Sequence, residues 1–234
     1  GVHACALPLY LDASIGVRGV DAMTRAQISE GERVWGVGCG CGHTTLELGR
    51  RVEPAGSVLG IDISTPMLDI ARGRADREGL DNVIFENADA EIFGFDEARF
   101  DLVFSRAGVM FFGDPVAAFQ NLGSALKPGG GLSFVCWRAP EENPWLVLPA
   151  KAAGEYVELP PRAEPGEPRP FALAEPDRVQ HILSSSGFVN INLERRDGNP
   201  QLGGPGTLDD AARFALNVGP AANSIATAEA STVE

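Results

Sequence analysis

Short apolar runs alternate with helix-like stretches from residue 32 onward, and that alternation leaves few folds open. ERVWGV (32–37), VLGIDI (58–63), NVIFENA (82–88), FDLVFS (100–105) and GLSFVCW (131–137) each read as a strand. VLGIDI is apolar over nearly its whole length, the pattern of a strand covered on both faces. His43 to Val52 predicts a helix, followed by a turn at Pro54-Ala55-Gly56-Ser57. A second helix starts after Ser64, a capping residue, with Pro66 and Asp69 in its first turn, and stops at Gly79. A third opens at Asp114-Pro115 and ends before Lys127-Pro128-Gly129-Gly130. Right-handed crossovers then give an α/β architecture: a doubly wound, mostly parallel sheet with helices on both faces.

The flanks are less regular. Residues 1–30 form an N-terminal segment in which Ile15, Val20, Met23 and Ile28 recur at roughly helical spacing, which predicts helices covering one edge. Residues 31–138 are the core. Residues 139–176 are rich in Pro and Glu and read as an insertion leaning over the sheet. Residues 177–234 read as helix, strand, helix and tail: Asp177 to Ser186, then FVNINLERR (188–196), then TLDDAARFALNV (207–218) capped by Thr207, then a fraying NSIATAEASTVE.

Composition narrows the partners. Hydrophobic residues make up 44% of the 234-residue chain, enough for a sizeable core. The formal net charge of -13 repels phosphate backbones and anionic lipid, so neither nucleic acid nor a membrane is expected. The opening GVHACALPLYLDASIGV has no basic stretch before it and reads as an ordinary N-terminal segment rather than a signal peptide. Cys5, Cys39, Cys41 and Cys136 lack zinc spacing, so no metal is expected, and unpaired thiols suggest a reducing cytoplasm.

The first predicted strand ends in VGCGCG. Glycines there let the backbone turn at positive φ and let a ligand touch the main chain, and the next helix points its N–H groups at the same place. The spacing does not fit a dinucleotide fingerprint: the third position falls on Cys41 counting from Gly36, or on His43 counting from Gly38. G-x-G-x-G at Gly38, Gly40 and Gly42 does fit. Asp62 ends the second strand, where a carboxylate can accept from both ribose hydroxyls of a nucleoside. Asp89, in Asn87-Ala88-Asp89-Ala90 after the third strand, can accept from an adenine amino group; a solvated turn aspartate is the alternative.

The ordered motifs VGCGCG, GIDIS, NADAE, FDLVFSRAGVMFF and LKPGGGLSF together resemble a class I methyltransferase that uses S-adenosylmethionine. The resemblance covers about residues 30–138 and is strongest toward small-molecule enzymes of the ubiquinone/menaquinone type. It implies a Rossmann-like sheet ordered 3-2-1-4-5-7-6 and S-adenosylmethionine as cofactor. Gly38, Cys39 and Gly40 would flank the methionine moiety. Asp62 would hold the ribose, with Ile63 and Met67 nearby, and Asp89 and Ala90 would meet the adenine. Ser105 would lie beside the sulfonium. The expected reaction is methyl transfer to an O, N or C atom of a small apolar or aromatic metabolite.

Two departures stand out. The family usually carries an acid two residues before the first loop glycine, where it helps hold the amino group of the cofactor's methionine; here that place is Gly36. Going without a charge-assisted contact costs roughly 1.5–3 kcal/mol, or roughly 10- to 100-fold in affinity. No candidate for the closing antiparallel strand follows Leu202; an incomplete sheet, a shortened chain, or another protomer at the edge of a homo-oligomer would each account for it. A non-catalytic relative is therefore the second reading, and a nicotinamide-dependent oxidoreductase the third. Among titratable groups, Ser105, Arg106 and His43 are the catalytic candidates, with packing or capping the competing role for His43. Trp137, Trp145 and Phe112 are the acceptor-pocket candidates, whereas Phe111 reads as core.

Overall fold

The computed structural model describes residues 19–95, 97–158, 167–198 and 207–217. The expectations for Ile15 and the final tail lie outside these residues. The described residues fall into two compact units. The larger holds residues 19–137 and 167–194; the smaller holds 138–158, 195–198 and 207–217.

The larger unit contains a five-stranded sheet: β1 (Arg33–Val37), β2 (Ser57–Asp62), β3 (Val83–Asn87), β4 (Phe100–Arg106) and β5 (Leu126–Val135). Its order is β3-β2-β1-β4-β5 and every neighbouring pair is parallel. The helices are α1 (His43–Val52), α2 (Thr65–Glu78), α3 (Pro115–Ser124), α4 (Pro144–Ala153), α5 (Pro176–Ser185) and α6 (Leu208–Asn217). α4 and α6 belong to the smaller unit.

Alternation along β1 sends its side chains to two cores. Val34 packs with Leu46 and Leu48 of α1, Leu68 and Ala71 of α2, and Met23 of the helical residues 19–25. Trp35 and Val37 face the other side, with Phe119 and Leu122 of α3 and Val179 and Ile182 of α5. Trp35 meets Phe95 edge-on at 4.8 Å and stacks on Phe100 at 5.8 Å.

Local signals place the helix ends. Asp114 accepts from Ala117 N at 3.1 Å and Pro115 follows it, so α3 starts there. Gly79 adopts φ 64° and closes α2. Thr207 Oγ1 accepts from Asp210 N while Asp210 Oδ2 accepts from Thr207 N, a reciprocal cap on α6.

Three expectations are corrected. Ser64 occupies the cap position of α2, but its side chain makes no capping bond; its N–H instead donates to Asp62 Oδ1. β5 starts at Leu126 rather than Gly131, so the Pro-Gly-Gly turn lies inside the strand, absorbed by a register irregularity opposite Phe100 and Leu102. FVNINLERR forms no strand among the described residues: residues 188–198 have no ladder partner there. Alternation alone cannot make a strand without a neighbour to bond. In the expected order a sixth strand reaches the sheet only through a seventh, which is absent among the described residues.

At the opposite end from the glycine loop, Asp101 ties three strands. Its carboxylate accepts from Arg33 N at 2.8 Å and pairs with Lys127 Nζ at 2.6 Å. Burial by itself would raise this carboxyl, but the Arg33 N–H and the Lys127 ammonium outweigh it and hold it below the usual carboxylate range. A depressed folded value adds stability that is present above the unfolded value, about pH 4, and is lost as pH falls through the folded one. Because the pair is part-exposed, Asp101→Asn is expected to lower the unfolding free energy by about 1 kcal/mol near neutrality. The gap should narrow progressively as pH falls below about 4; denaturant titrations at neutral and at acid pH check it.

Candidate active site

The strand order reverses between β1 and β4, and in such sheets the ligand crevice lies beyond the carboxyl ends at that point. The glycine loop leaves β1 there. Gly38 has φ 64° and lies so close to the next loop that a built Cβ would fall 2.6 Å from Gly108 Cα. Gly42 has φ 85° at the start of α1, and a Cβ there would come within 2.8 Å of Ala71 Cβ. A side chain at either position would force the loop off its supports.

The loop is held from four directions. Cys39 N donates to Ile61 O and Gly42 N to Cys39 O, both at 3.0 Å. Arg74 Nη1 donates to Cys41 O at 2.9 Å from α2, and Gly40 N donates to Asp62 Oδ2 at 2.7 Å. Arg74 was not anticipated from the sequence, because its partner lies 33 positions away.

Asp62 thus does two things. One carboxylate oxygen takes the Gly40 N–H and the other the Ser64 N–H. A carboxylate offers about four lone-pair sites, so acceptor capacity remains for a pair of hydroxyls. Asn87 steadies the same corner: its Nδ2 donates to Asp62 O at 2.9 Å, and its Oδ1 accepts from Thr65 Oγ1 at 3.1 Å. Asp89 is exposed and makes the turn predicted by the bland reading, with Oδ1 accepting from Glu91 N. Glu91 in turn binds Gly113 N and Asp114 N, fastening the β3 loop to the start of α3. Ile63, next to Asp62, is 75% exposed, and Ile92, three residues after Asp89, is 80% exposed. Met67 Sδ lies 3.9 Å from a Cβ built on Gly40, an ordinary van der Waals distance, so Met67 stands beside the loop.

Several expected site residues point elsewhere. Cys39 is buried in the core, and burial, with Asp62 adding to it, pushes its thiol far up, so the side chain is an inert neutral thiol. Ala90 is buried and its carbonyl accepts from Asn121 Nδ2. Ser105, expected as a catalytic and cofactor-contacting residue, is buried at the end of β4. Its hydroxyl donates to Val37 O at 2.9 Å and accepts from Gly108 N and Val109 N, which uses its one proton and both lone pairs. Phe112 is corrected from the acceptor pocket to the core, where it meets Phe119 edge-on. Phe111, expected in the core, is 54% exposed. The 3-10 turn at Val109–Phe111 causes the exchange by turning Val109 and Met110 inward and Phe111 outward. Trp137 is half-buried beside the core, its N–H directed at Met110 Sδ. Trp145 lies in the smaller unit, where its indole N–H donates to Asn143 Oδ1.

His43 and Arg106 come together from 63 positions apart, with Arg106 Nη1 at 3.4 Å from His43 Nδ1. A guanidinium only donates, so any hydrogen bond in this contact runs from Arg106 to the ring nitrogen.

Known proteins match this arrangement. A methyltransferase-domain family model matches residues 34–130. The chain is 32% identical to a demethylmenaquinone methyltransferase of Staphylococcus carnosus over 75% of this chain and 76% of that protein. The chain belongs to the methyltransferase family. It is also 35% identical to an aklanonic acid methyltransferase of a Streptomyces species, over 58% of this chain and 56% of that enzyme. Among solved folds, the Haemonchus contortus phosphoethanolamine N-methyltransferase 2 in complex with S-adenosyl-L-methionine superposes with a TM-score of 0.58. That likeness carries 22% identity over 76% of this chain and 38% of the other.

The structure gives Gly36 a packing role. Gly36 faces Gly60 across the β1–β2 ladder, and Thr45 of α1 fills the notch they leave. A Cβ on Gly36 would lie 3.3 Å from Thr45 Oγ1, and one on Gly60 3.0 Å from Thr45 Cγ2. Gly36 is therefore a packing partner of Thr45 as well as a missing acid.

The Ser105 assignment makes a clear prediction. Ser105→Ala strands Val37 O and two N–H groups, so the variant should lose about 1–3 kcal/mol of stability in urea unfolding. A purely catalytic serine would lose turnover with stability unchanged.

Proposed function

We propose that this chain transfers the methyl group of S-adenosylmethionine to an oxygen, nitrogen or carbon atom of a small apolar or aromatic metabolite. The observation that carries the reading is the corner formed by the glycine loop and Asp62, which combines bare main chain with a carboxylate that keeps spare acceptor capacity. The S-adenosylmethionine held by the same fold in the Haemonchus enzyme supports the cofactor, and the demethylmenaquinone and aklanonic acid in the relatives' names support a small-molecule acceptor.

The cofactor, when bound, supplies a methyl group already activated on a sulfonium. The protein's share is alignment and exclusion of water. Gly38 and Gly40 give the ligand main chain to lie on, Asp62 accepts from the ribose hydroxyls, and Asp89 faces the base. Phe111 and Trp137 contribute apolar surface for the acceptor. Ser105 positions the Gly108 loop rather than touching the reacting atoms. The snug Thr45 packing at Gly36 argues against the non-catalytic reading, because that glycine has a structural use.

Calorimetric titration with S-adenosylmethionine and S-adenosylhomocysteine tests the cofactor. Binding is expected, and Asp62→Asn should weaken it by roughly 10- to 100-fold, since an amide NH2 would confront the Gly40 or Ser64 N–H. Absence of binding at millimolar ligand, or tight binding of NADH instead, overturns the proposal.

A further inference from the structure

We propose that Glu91 is a positioning residue for base recognition: by fastening the turn that carries Asp89 to the start of α3, it sets how strictly the chain selects adenine over a base without the amino group. The inference rests on the methyl-transfer reading above, in which Asp89 faces the base.

Asp89 alone is a loose reader. It is exposed, so packing does not hold its side chain, and it lies in the connection between β3 and β4, where residues 88–95 form neither helix nor strand. Its main chain opens a turn, with Asp89 O accepting from Ile92 N at 3.2 Å and from Phe93 N at 2.8 Å. Oδ1 accepts from Glu91 N at 2.9 Å, which leaves acceptor capacity on Oδ2 for a ligand. A contact that discriminates has to be held to within about 0.5 Å, so the turn needs an anchor outside itself.

The Glu91 side chain is that anchor. Its Oε2 accepts from Gly113 N at 2.7 Å and its Oε1 from Asp114 N at 2.8 Å. Two parallel bonds fix the direction of the carboxylate as well as its distance. Asp114 caps α3, whose Phe119 and Leu122 are buried in the core, so the anchor point is held by the core. Asn121 of the same helix adds a second hold, its Nδ2 donating to Ala90 O at 3.1 Å and to Phe93 O at 2.9 Å. The Glu91 main chain therefore orients Asp89, while the Glu91 side chain places the whole turn. A substitution can release the turn and leave the Asp89 bond in place. Glutamine does so, because its amide serves one of the two N–H groups and turns an NH2 toward the other.

Two ligands that differ at the base decide the matter: S-adenosylhomocysteine and S-inosylhomocysteine, which carries a carbonyl where adenine carries its amino group. By calorimetry, the unaltered chain should prefer the adenosyl ligand by about tenfold or more, the size of one contact to a charged group. Glu91→Gln should shrink that preference by about threefold, half of the contact's free energy. It should bind S-inosylhomocysteine as the unaltered chain does, which also shows that the variant is folded. Glu91→Asp keeps the carboxylate but shortens its reach, and carries the same comparison should Glu91→Gln not fold. A residue that only caps α3 would cost stability and leave the preference alone. An unchanged preference in the variants, whether affinity falls equally for both ligands or not at all, therefore overturns the proposal. So does an unaltered chain that binds both ligands alike, a result the methyl-transfer reading survives. If neither ligand binds the unaltered chain, that reading fails and takes this one with it.

Discussion

The hydroxyl of Ser105 is the point on which the site's architecture rests. It joins the end of β4 to Val37 O at the end of β1 and gathers the Gly108 and Val109 N–H groups beneath it. That bond lets the two loops at the switch point touch main chain to main chain, with Gly38 against Gly108. Neither glycine tolerates a side chain there, because each would drive a Cβ to within 2.8 Å of the other's Cα. A buried bond of this kind is modest in net energy but costly to break, since it leaves three groups unpaired away from water. The crevice is thus set by a short polar knot between the two central strands, not by the surrounding loops.

Around that knot the cofactor corner is preorganised. Asp62 already grips Gly40 and Ser64, so the loop and the start of α2 are fixed before any ligand arrives. Asn87 and Glu91 extend the bracing to the β3 loop and α3. An enzyme whose donor is already activated benefits most from such rigidity, because its remaining task is alignment. The aromatic and aliphatic cores on the two faces of the sheet provide the stiffness that keeps these strand ends in place.

His43 lies against Arg106. The contact joins the end of β4 to the first residue of α1. The packing of Thr45 into the Gly36–Gly60 notch lies under the next residues of the same helix. α1 therefore meets the end of β4 through His43 and the Gly36–Gly60 notch through Thr45.

The five strands of the sheet and the helices α1, α2 and α3 were readable from residue order, because period, apolar runs and capping residues act within a few positions. The glycine loop and Asp62 were readable for the same reason: positive φ and a carboxylate at a strand end are local demands. Strand status for residues 188–196 was misread because pairing needs a remote neighbour. Tertiary structure alone decided that Ser105 is a structural hydroxyl, that Phe112 turns in while Phe111 turns out, and that Thr45 accounts for Gly36. It also decided that His43 meets Arg106. Each of these depends on which distant side chain or carbonyl lies within a few ångströms, and no spacing along the chain encodes that distance.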